Sequence, residues 1–135
     1  MRLLLDTCAL LWLLRNAPEM PRAMKELVDA PENEPHVSII SAWEIAIKTS
    51  LGKLQVGYSV EPGLRTLLKK AGIPVLVPDW PEIGAVQRLP FHHRDPFDRM
   101  LVCQAMRHDL AIVSSDAAFD AYGVMRVWSD KPVTF

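Results

Sequence analysis

Residues 2–14, RLLLDTCALLWLL, contain the first strand-to-helix transition of the chain and decide its fold. Residues 2–5 form a short apolar run without polar alternation, which is typical of a strand buried on both faces of a parallel sheet. Leucines at positions 10, 11, 13 and 14 then recur at helical spacing, and Asn16 and Pro18 end this helix. The chain therefore begins with a buried strand followed directly by a helix, as in an α/β protein.

The same alternation of strand and helix continues along the rest of the chain. Further strands are predicted at residues 36–40, 73–77, 110–114 and 124–128, and further helices at residues 21–28, 41–52, 60–71, 81–89 and from 96 onward. The segment Ser41-Ala42-Trp43-Glu44 has the S-x-x-E form of a capping box that begins a helix. Asp95 and Pro96 suit the N-cap and the first position of the last long helix.

Strands that alternate with helices form a parallel sheet covered on both faces, because each crossover is helical and right-handed. The sequence thus predicts an α/β fold, a three-layer α/β/α sandwich with a mainly parallel five-stranded sheet. At 135 residues, without an internal repeat or a long linker, the chain (residues 1–135) is expected to be a single domain. Ligands in such folds bind where the carboxyl ends of neighbouring strands converge.

The composition limits the partners and the compartment of the protein. The formal net charge of −1 gives no global basic field, so nucleic acid would have to be held by a local patch or by bound cations. Cys8 and Cys103 fit neither a CxxC motif nor a zinc site, which favours a reducing, cytoplasmic environment. Asp6 interrupts an apolar start that is too short to span a bilayer, so we expect neither a signal peptide nor membrane association.

Four acidic residues are predicted at the carboxyl edge of the sheet: Asp6, Glu44, Asp98 and Asp116. Each has a structural explanation by itself, because acidic side chains cap helices and stabilise their first turns. Their combination is unusual, since two carboxylates about 4 Å apart repel by about 4 kcal/mol at an effective dielectric of about 20. A hard divalent cation removes the conflict, and oxygen ligands favour Mg²⁺ or Mn²⁺ over zinc. Such an ion activates water for the cleavage of a phosphodiester bond.

The segments that carry these residues resemble, in the same order, those of the PIN-domain family and within it the VapC-type toxins. They are Leu4-Leu5-Asp6-Thr7, residues 41–48 (SAWEIAIK), residues 93–101 (HRDPFDRML) and Val113-Ser114-Ser115-Asp116, with Phe119 and Tyr122-Gly123 behind the last. The resemblance covers nearly the whole chain, and it implies the sheet order 3-2-1-4-5 and Mg²⁺-dependent endoribonuclease activity. It also implies an RNA substrate, a homodimer and a co-expressed VapB-like antitoxin.

The resemblance also assigns roles to individual residues. The implied catalytic and metal-binding residues are Asp6, Glu44, Asp98 and Asp116. Thr7 matches the hydroxyl neighbour of the first aspartate. Asp95 is either an outer carboxylate of the site or only the N-cap of its helix, and the cap is favoured because a proline follows. Ser115 stands where a threonine is more usual in the family.

Other side chains have competing interpretations. His92 and His93 could orient substrate, although loop packing is favoured because a metal-activated water needs no histidine base. Lys48 could contact a phosphate or pair with Glu44 on the preceding helical turn. The phosphate-binding role is also open to Lys53, Arg94 and Arg99. The leucine-rich helix at residues 10–14 is too apolar for a free surface, which favours its burial against a partner chain.

Two rival functions are compatible with the predicted fold. A phosphohydrolase of another α/β family would also have an Mg²⁺-binding aspartate after its first strand. A haloacid-dehalogenase-type enzyme, however, needs a second aspartate at the position of Cys8. A binding module that keeps the PIN-like fold without the chemistry is the second alternative, and the intact acidic quartet argues against it.

Overall fold

The computed structural model describes residues 1–133, in which a parallel sheet carries helices on both faces. Its strands are β1 (Arg2–Leu5), β2 (Glu34–Ser38), β3 (Val75–Leu76), β4 (Ala111–Val113) and β5 (Arg126–Val127). Its α-helices are α1 (Thr7–Leu14), α2 (Arg22–Asp29), α3 (Ile39–Ser50), α4 (Arg65–Ala71), α5 (Trp80–Arg88) and α6 (Pro96–His108). A π-helical turn (Val60–Leu64) precedes α4, and a 3₁₀ helix (Ala117–Tyr122) follows β4. The sheet order is β3-β2-β1-β4-β5 with parallel pairing throughout, which confirms the predicted topology.

The central strand β1 contributes to both hydrophobic layers of the protein. Leu3 and Leu5 are fully buried in a core formed with α1, α2, α3 and α4. Leu4 is buried on the opposite face, in a second core with α6 and the 3₁₀ helix. Successive side chains of a strand point to opposite faces, so three leucines in a row serve both layers. The predicted three-layer sandwich is therefore confirmed.

The start of α3 differs from the prediction. The strand expected at residues 36–40 ends at Ser38, and the Ser38 hydroxyl is the N-cap, because it accepts a hydrogen bond from the Ile40 amide at 3.1 Å. The capping box predicted at residues 41–44 is therefore wrong, since Ser41 lies inside the helix and is fully buried. The β-branched residues Ile39 and Ile40 suggested strand, but sheet pairing stops where Ser38 lies opposite Leu76. Glu44 consequently lies in the second turn of α3, beyond the reach of a helix-capping role.

The apolar side chains of α1 are largely covered by the chain itself. Residues 11–14 are half-buried and pack against the first core, and the Trp12 ring lies 5.9 Å from the Trp128 ring. Large apolar side chains are more exposed elsewhere, with Trp43 at 59%, Trp80 at 86% and Phe91 at 82%. Within residues 1–133, none of the helices has the length and apolar character needed to cross a membrane.

Candidate active site

Asp6 follows the central strand directly and is held at both carboxylate oxygens. Its backbone amide donates to the Val113 carbonyl at 3.2 Å, which continues the pairing of β1 with β4 by one residue. Oδ1 accepts from the Ala9 amide at 2.8 Å, so Asp6 is the N-cap of α1, and Oδ2 accepts from the Ser114 hydroxyl. Burial raises the pKa of Asp6, and the Asp116 and Glu44 carboxylates raise it further, whereas the two hydrogen bonds oppose this shift.

Glu44 reaches the same region from α3 and is almost fully buried. The Thr7 hydroxyl donates to Glu44 Oε1 at 2.6 Å, and it also lies 2.9 Å from the Ser41 hydroxyl. The ammonium of Lys48 pairs with Glu44 Oε2, as the spacing of four residues predicted. The hydrogen bond to Glu44 raises the pKa of Lys48. Thr7 thus fixes one oxygen of Glu44 and Lys48 neutralises the other.

Asp95 and Asp98 occupy the start of α6. Asp95 Oδ1 accepts from the amides of Phe97 at 2.8 Å and Asp98 at 3.4 Å, which identifies it as the N-cap, and Pro96 is the first helical residue. The Asp98 side chain is 20% exposed. Burial raises the pKa of Asp98 to about 7, with smaller contributions from Asp95 and from the other three carboxylates. Asp98 is therefore the acidic group for which charge is most costly.

Asp116 follows β4 and begins the 3₁₀ helix. Its Oδ1 accepts from the Ala118 amide at 3.0 Å, and its Oδ2 lies 3.1 Å from Nε2 of His93. The same His93 nitrogen is 4.0 Å from Asp98 Oδ2. The backbone hydrogen bond from Ala118 lowers the pKa of Asp116, and His93 lowers it further. One ring nitrogen thus faces carboxylates from two elements of the fold.

The structure brings the predicted residues to one edge of the sheet. His93, Asp98 and Asp116 are the closest, because one ligand atom from each lies within 4.8 Å of the others. Asp6 and Glu44 are near enough to raise the pKa of Asp98, so all four acidic groups share one electrostatic environment. The hydroxyl of Thr7 belongs to this group through its bond to Glu44.

Two contributors to the site were not predicted from the sequence. Ser114 is fully buried, donates to Asp6 and accepts from the Asp116 amide at 3.0 Å, whereas Ser115, the predicted auxiliary residue, is exposed. His93 was expected to pack within a loop, but its ring contacts the site directly. A polar residue at the end of an otherwise apolar strand was the available signal for Ser114.

The basic residues considered as phosphate contacts differ in their exposure to solvent. Arg99 is only 4% exposed, and its guanidinium donates to the carbonyls of Val86, Leu89 and Pro90 at 2.8 to 3.0 Å. Its interpretation as a phosphate contact is therefore wrong, because a side chain bound to three backbone carbonyls serves the packing of the loop before α6. Lys53 and Arg94 are exposed.

The chemistry of the donor set fits a hard divalent cation. Carboxylate oxygens are the ligands that Mg²⁺ and Mn²⁺ prefer, and this edge of the sheet supplies them from four separate elements. A cation bound among these carboxylates would favour the ionised form of Asp98, which burial disfavours.

The chain was compared with known proteins. The family model described as PIN domain matches residues 3–125. No curated protein matched. Among solved structures, VapBC2 from Rickettsia felis bound to a promoter DNA fragment matches with a TM-score of 0.71 and 14% identity, covering 96% of this chain and 100% of that one. VapBC-1 from nontypeable Haemophilus influenzae matches with a TM-score of 0.65 and 18% identity over 94% of this chain and 97% of that one.

A third structure, FitAcB from Neisseria gonorrhoeae, matches with a TM-score of 0.60 and 19% identity over 93% of this chain and 96% of that one. At these identities the structural matches establish a shared fold. The family match extends from the middle of β1 almost to β5 and includes all four acidic residues. The chain therefore belongs to the PIN domain family.

Proposed function

We propose that this protein is a metal-dependent endoribonuclease that acts as the toxin of a VapBC-like toxin-antitoxin pair. The proposal rests on one observation above all, the convergence of four carboxylates from distant parts of the chain on a single edge of the sheet. The groups proposed to hold the cation are Asp6, Glu44, Asp98 and Asp116. Mg²⁺, or Mn²⁺ in its place, would activate water and stabilise charge on the phosphodiester oxygens.

The chain's own residues set the geometry of this site. Ser114 and the Ala9 amide orient the carboxylate of Asp6, so its position is fixed relative to β4 and α1. Thr7 orients Glu44 through one carboxylate oxygen, and Lys48 pairs with the other. The N-cap at Asp95 fixes the first turn of α6, which carries Asp98. Such fixed positions are what hydrolysis of a bound phosphodiester requires.

The proposed partners follow from the same assignment. RNA is the proposed substrate, a VapB-like protein the proposed antitoxin, and the cytoplasm the proposed compartment. The similar structures include VapBC assemblies and FitAcB, and VapBC2 from Rickettsia felis is bound to a promoter DNA fragment. A homodimer is also proposed, and exposed large apolar side chains such as Trp43 and Trp80 support burial by a second chain. Sedimentation of the purified chain, alone and with its antitoxin, measures both assemblies.

The direct test is degradation of RNA by the purified chain with Mg²⁺ or Mn²⁺. We expect cleavage by the wild type, loss of cleavage in Asp6→Asn and Asp98→Asn, and loss on addition of a chelator. Asp130→Asn serves as the matched control, because Asp130 is exposed and distant in sequence from the acidic residues of the site. Cleavage that survives the chelator, or that is equal in wild type and site variants, would reject the proposal. A folded wild type without activity on any RNA would instead favour a binding module.

A further inference from the structure

The side chain of His93 is fixed by its surroundings. It is only 8% exposed, and its ring is stacked on that of Tyr122 with centroids 5.6 Å apart and planes within 6°. The centroid of the His93 ring also lies 4.7 Å from that of the Phe119 ring. The His93 amide donates to the Tyr122 hydroxyl at 2.7 Å. The ring is therefore held against the 3₁₀ helix that Asp116 caps.

The hydrogen bond between His93 and Asp116 has a defined direction. Asp116 Oδ1 accepts from the Ala118 amide at 3.0 Å, and its Oδ2 lies 3.1 Å from His93 Nε2. A carboxylate oxygen is the acceptor in such a contact, so we assign Nε2 as the donor that carries the proton. The distance of 4.0 Å from Nε2 to Asp98 is too long for a second hydrogen bond.

The other ring nitrogen argues against coordination of a metal by His93. Histidines that bind a metal almost always donate their second N–H to a partner. Nδ1 of His93 is buried and has no hydrogen-bond partner among residues 1–133. Coordination through Nε2 would put the proton on Nδ1 and leave a buried donor without an acceptor, which is costly.

We propose that His93 is a positioning residue, which donates from Nε2 to Asp116 and holds this carboxylate beside Asp98. Asp116 needs such a contact because its side chain is 48% exposed and it lies at the N-cap of a short 3₁₀ helix, where few other groups restrain it. The expected effect of His93 on metal binding rests on the proposed function, whereas the assignment of the ring proton to Nε2 is independent of it.

The first experiment determines which nitrogen of the His93 ring carries the proton. Nitrogen NMR of histidine-labelled protein, free of metal and at mildly alkaline pH, identifies which ring nitrogen of His93 is protonated. We expect a proton on Nε2 that remains after Mg²⁺ is added. A proton on Nδ1 alone, or loss of the Nε2 proton when Mg²⁺ binds, would overturn the proposal, the latter because it identifies a metal ligand.

The second experiment measures Mn²⁺ affinity by electron paramagnetic resonance and folding by circular dichroism. His93→Phe keeps a ring in contact with Tyr122 and Phe119 but has no donor, whereas His93→Gln keeps a side-chain N–H donor. We expect about a 10-fold or greater loss of Mn²⁺ affinity in His93→Phe, the range for changes to groups that orient metal ligands, and substantial recovery in His93→Gln. His92→Phe, an exposed neighbour, is the control and should bind Mn²⁺ as the wild type does.

The outcomes separate the two proposals. Wild-type affinity in folded His93→Phe, or equal losses in the two folded His93 variants, would overturn the positioning role. If His93→Phe does not fold, the positioning role is tested by the NMR result and by the Mn²⁺ affinity of His93→Gln. If the wild type binds no Mn²⁺ and cleaves no RNA, the proposed function fails, while the NMR result still tests the proton on Nε2.

Discussion

Replacement of Asp98 by asparagine should stabilise the metal-free protein. The ordinary pKa of an aspartate is 3.8, whereas burial and the neighbouring carboxylates raise that of Asp98 to about 7. One pKa unit corresponds to about 1.4 kcal/mol, so ionisation of Asp98 costs the folded state up to about 4 kcal/mol. Asparagine removes this cost but also removes a favourable charge at the helix start, worth about 0.3 to 1 kcal/mol. We expect Asp98→Asn to raise the free energy of unfolding by about 2 to 4 kcal/mol at about pH 8.

The sign of the pH dependence follows from the raised pKa. The protonated form of Asp98 contributes stability that is fully present below pH 3.8 and is lost as the pH rises through about 7. The difference between Asp98→Asn and the wild type should therefore be near zero in acid, grow toward neutral pH and then level off. Added Mg²⁺ should stabilise the wild type more than the variant, because the proposed metal site of the folded state includes this carboxylate.

Urea unfolding followed by circular dichroism, with a chelator present and over a series of pH values, measures this difference. Asp130→Asn is again the control, because it also removes one carboxylate but at an exposed position. A difference between Asp98→Asn and the wild type that stays constant over this pH range would refute the electrostatic reasoning. So would a variant that is less stable than the wild type in mild alkali.

Three further changes test contacts around the site. Thr7→Val leaves the buried Glu44 without its hydroxyl donor and should cost about 1 to 3 kcal/mol in urea unfolding; an unchanged midpoint would argue against the bond. Ser114→Ala removes the hydroxyl that orients Asp6 and should weaken Mn²⁺ binding by about 10-fold, whereas wild-type affinity would contradict that role. Arg99→Lys replaces the two guanidinium nitrogens that reach these three carbonyls with a single ammonium nitrogen and should lower the free energy of unfolding by about 2 kcal/mol or more, with thermal unfolding as the measurement.

The topology could be predicted because its determinants are local. An apolar run that ends at Asp6, a proline after Asp95 and a glycine after α4 are signals confined to a few residues, and the structure contains the expected strand, N-cap and helix end at each. Ser38 is the exception. Its hydroxyl caps α3 directly before two isoleucines, which favour a strand. Whether these isoleucines form strand or helix is decided by the point at which pairing with β3 ends.

The placement of the four acidic residues at one edge of the sheet was also predictable, but the groups that contact them were not. Ser114 and Ser115 are adjacent serines, and which of them faces inward depends on where β4 ends and on the phase of its pleat. His92 and His93 pose the same problem, because both rings lie near Tyr122 and only His93 extends to Asp116. Such choices depend on contacts between distant parts of the chain, which a linear pattern does not encode.

The burial of β1 in both hydrophobic layers limits the ways in which a binding protein could disturb the site. Its leucines belong to both hydrophobic layers, so the amides of this strand should exchange with solvent only when the whole domain unfolds. Asp6 follows β1 without an intervening residue and is held by β4 and α1 as well. A protein that binds only to the outer helices would therefore need a large free energy to displace Asp6. A reversible inhibitor of the proposed nuclease would therefore act by obstructing the entrance to the site or by competing for the proposed cation.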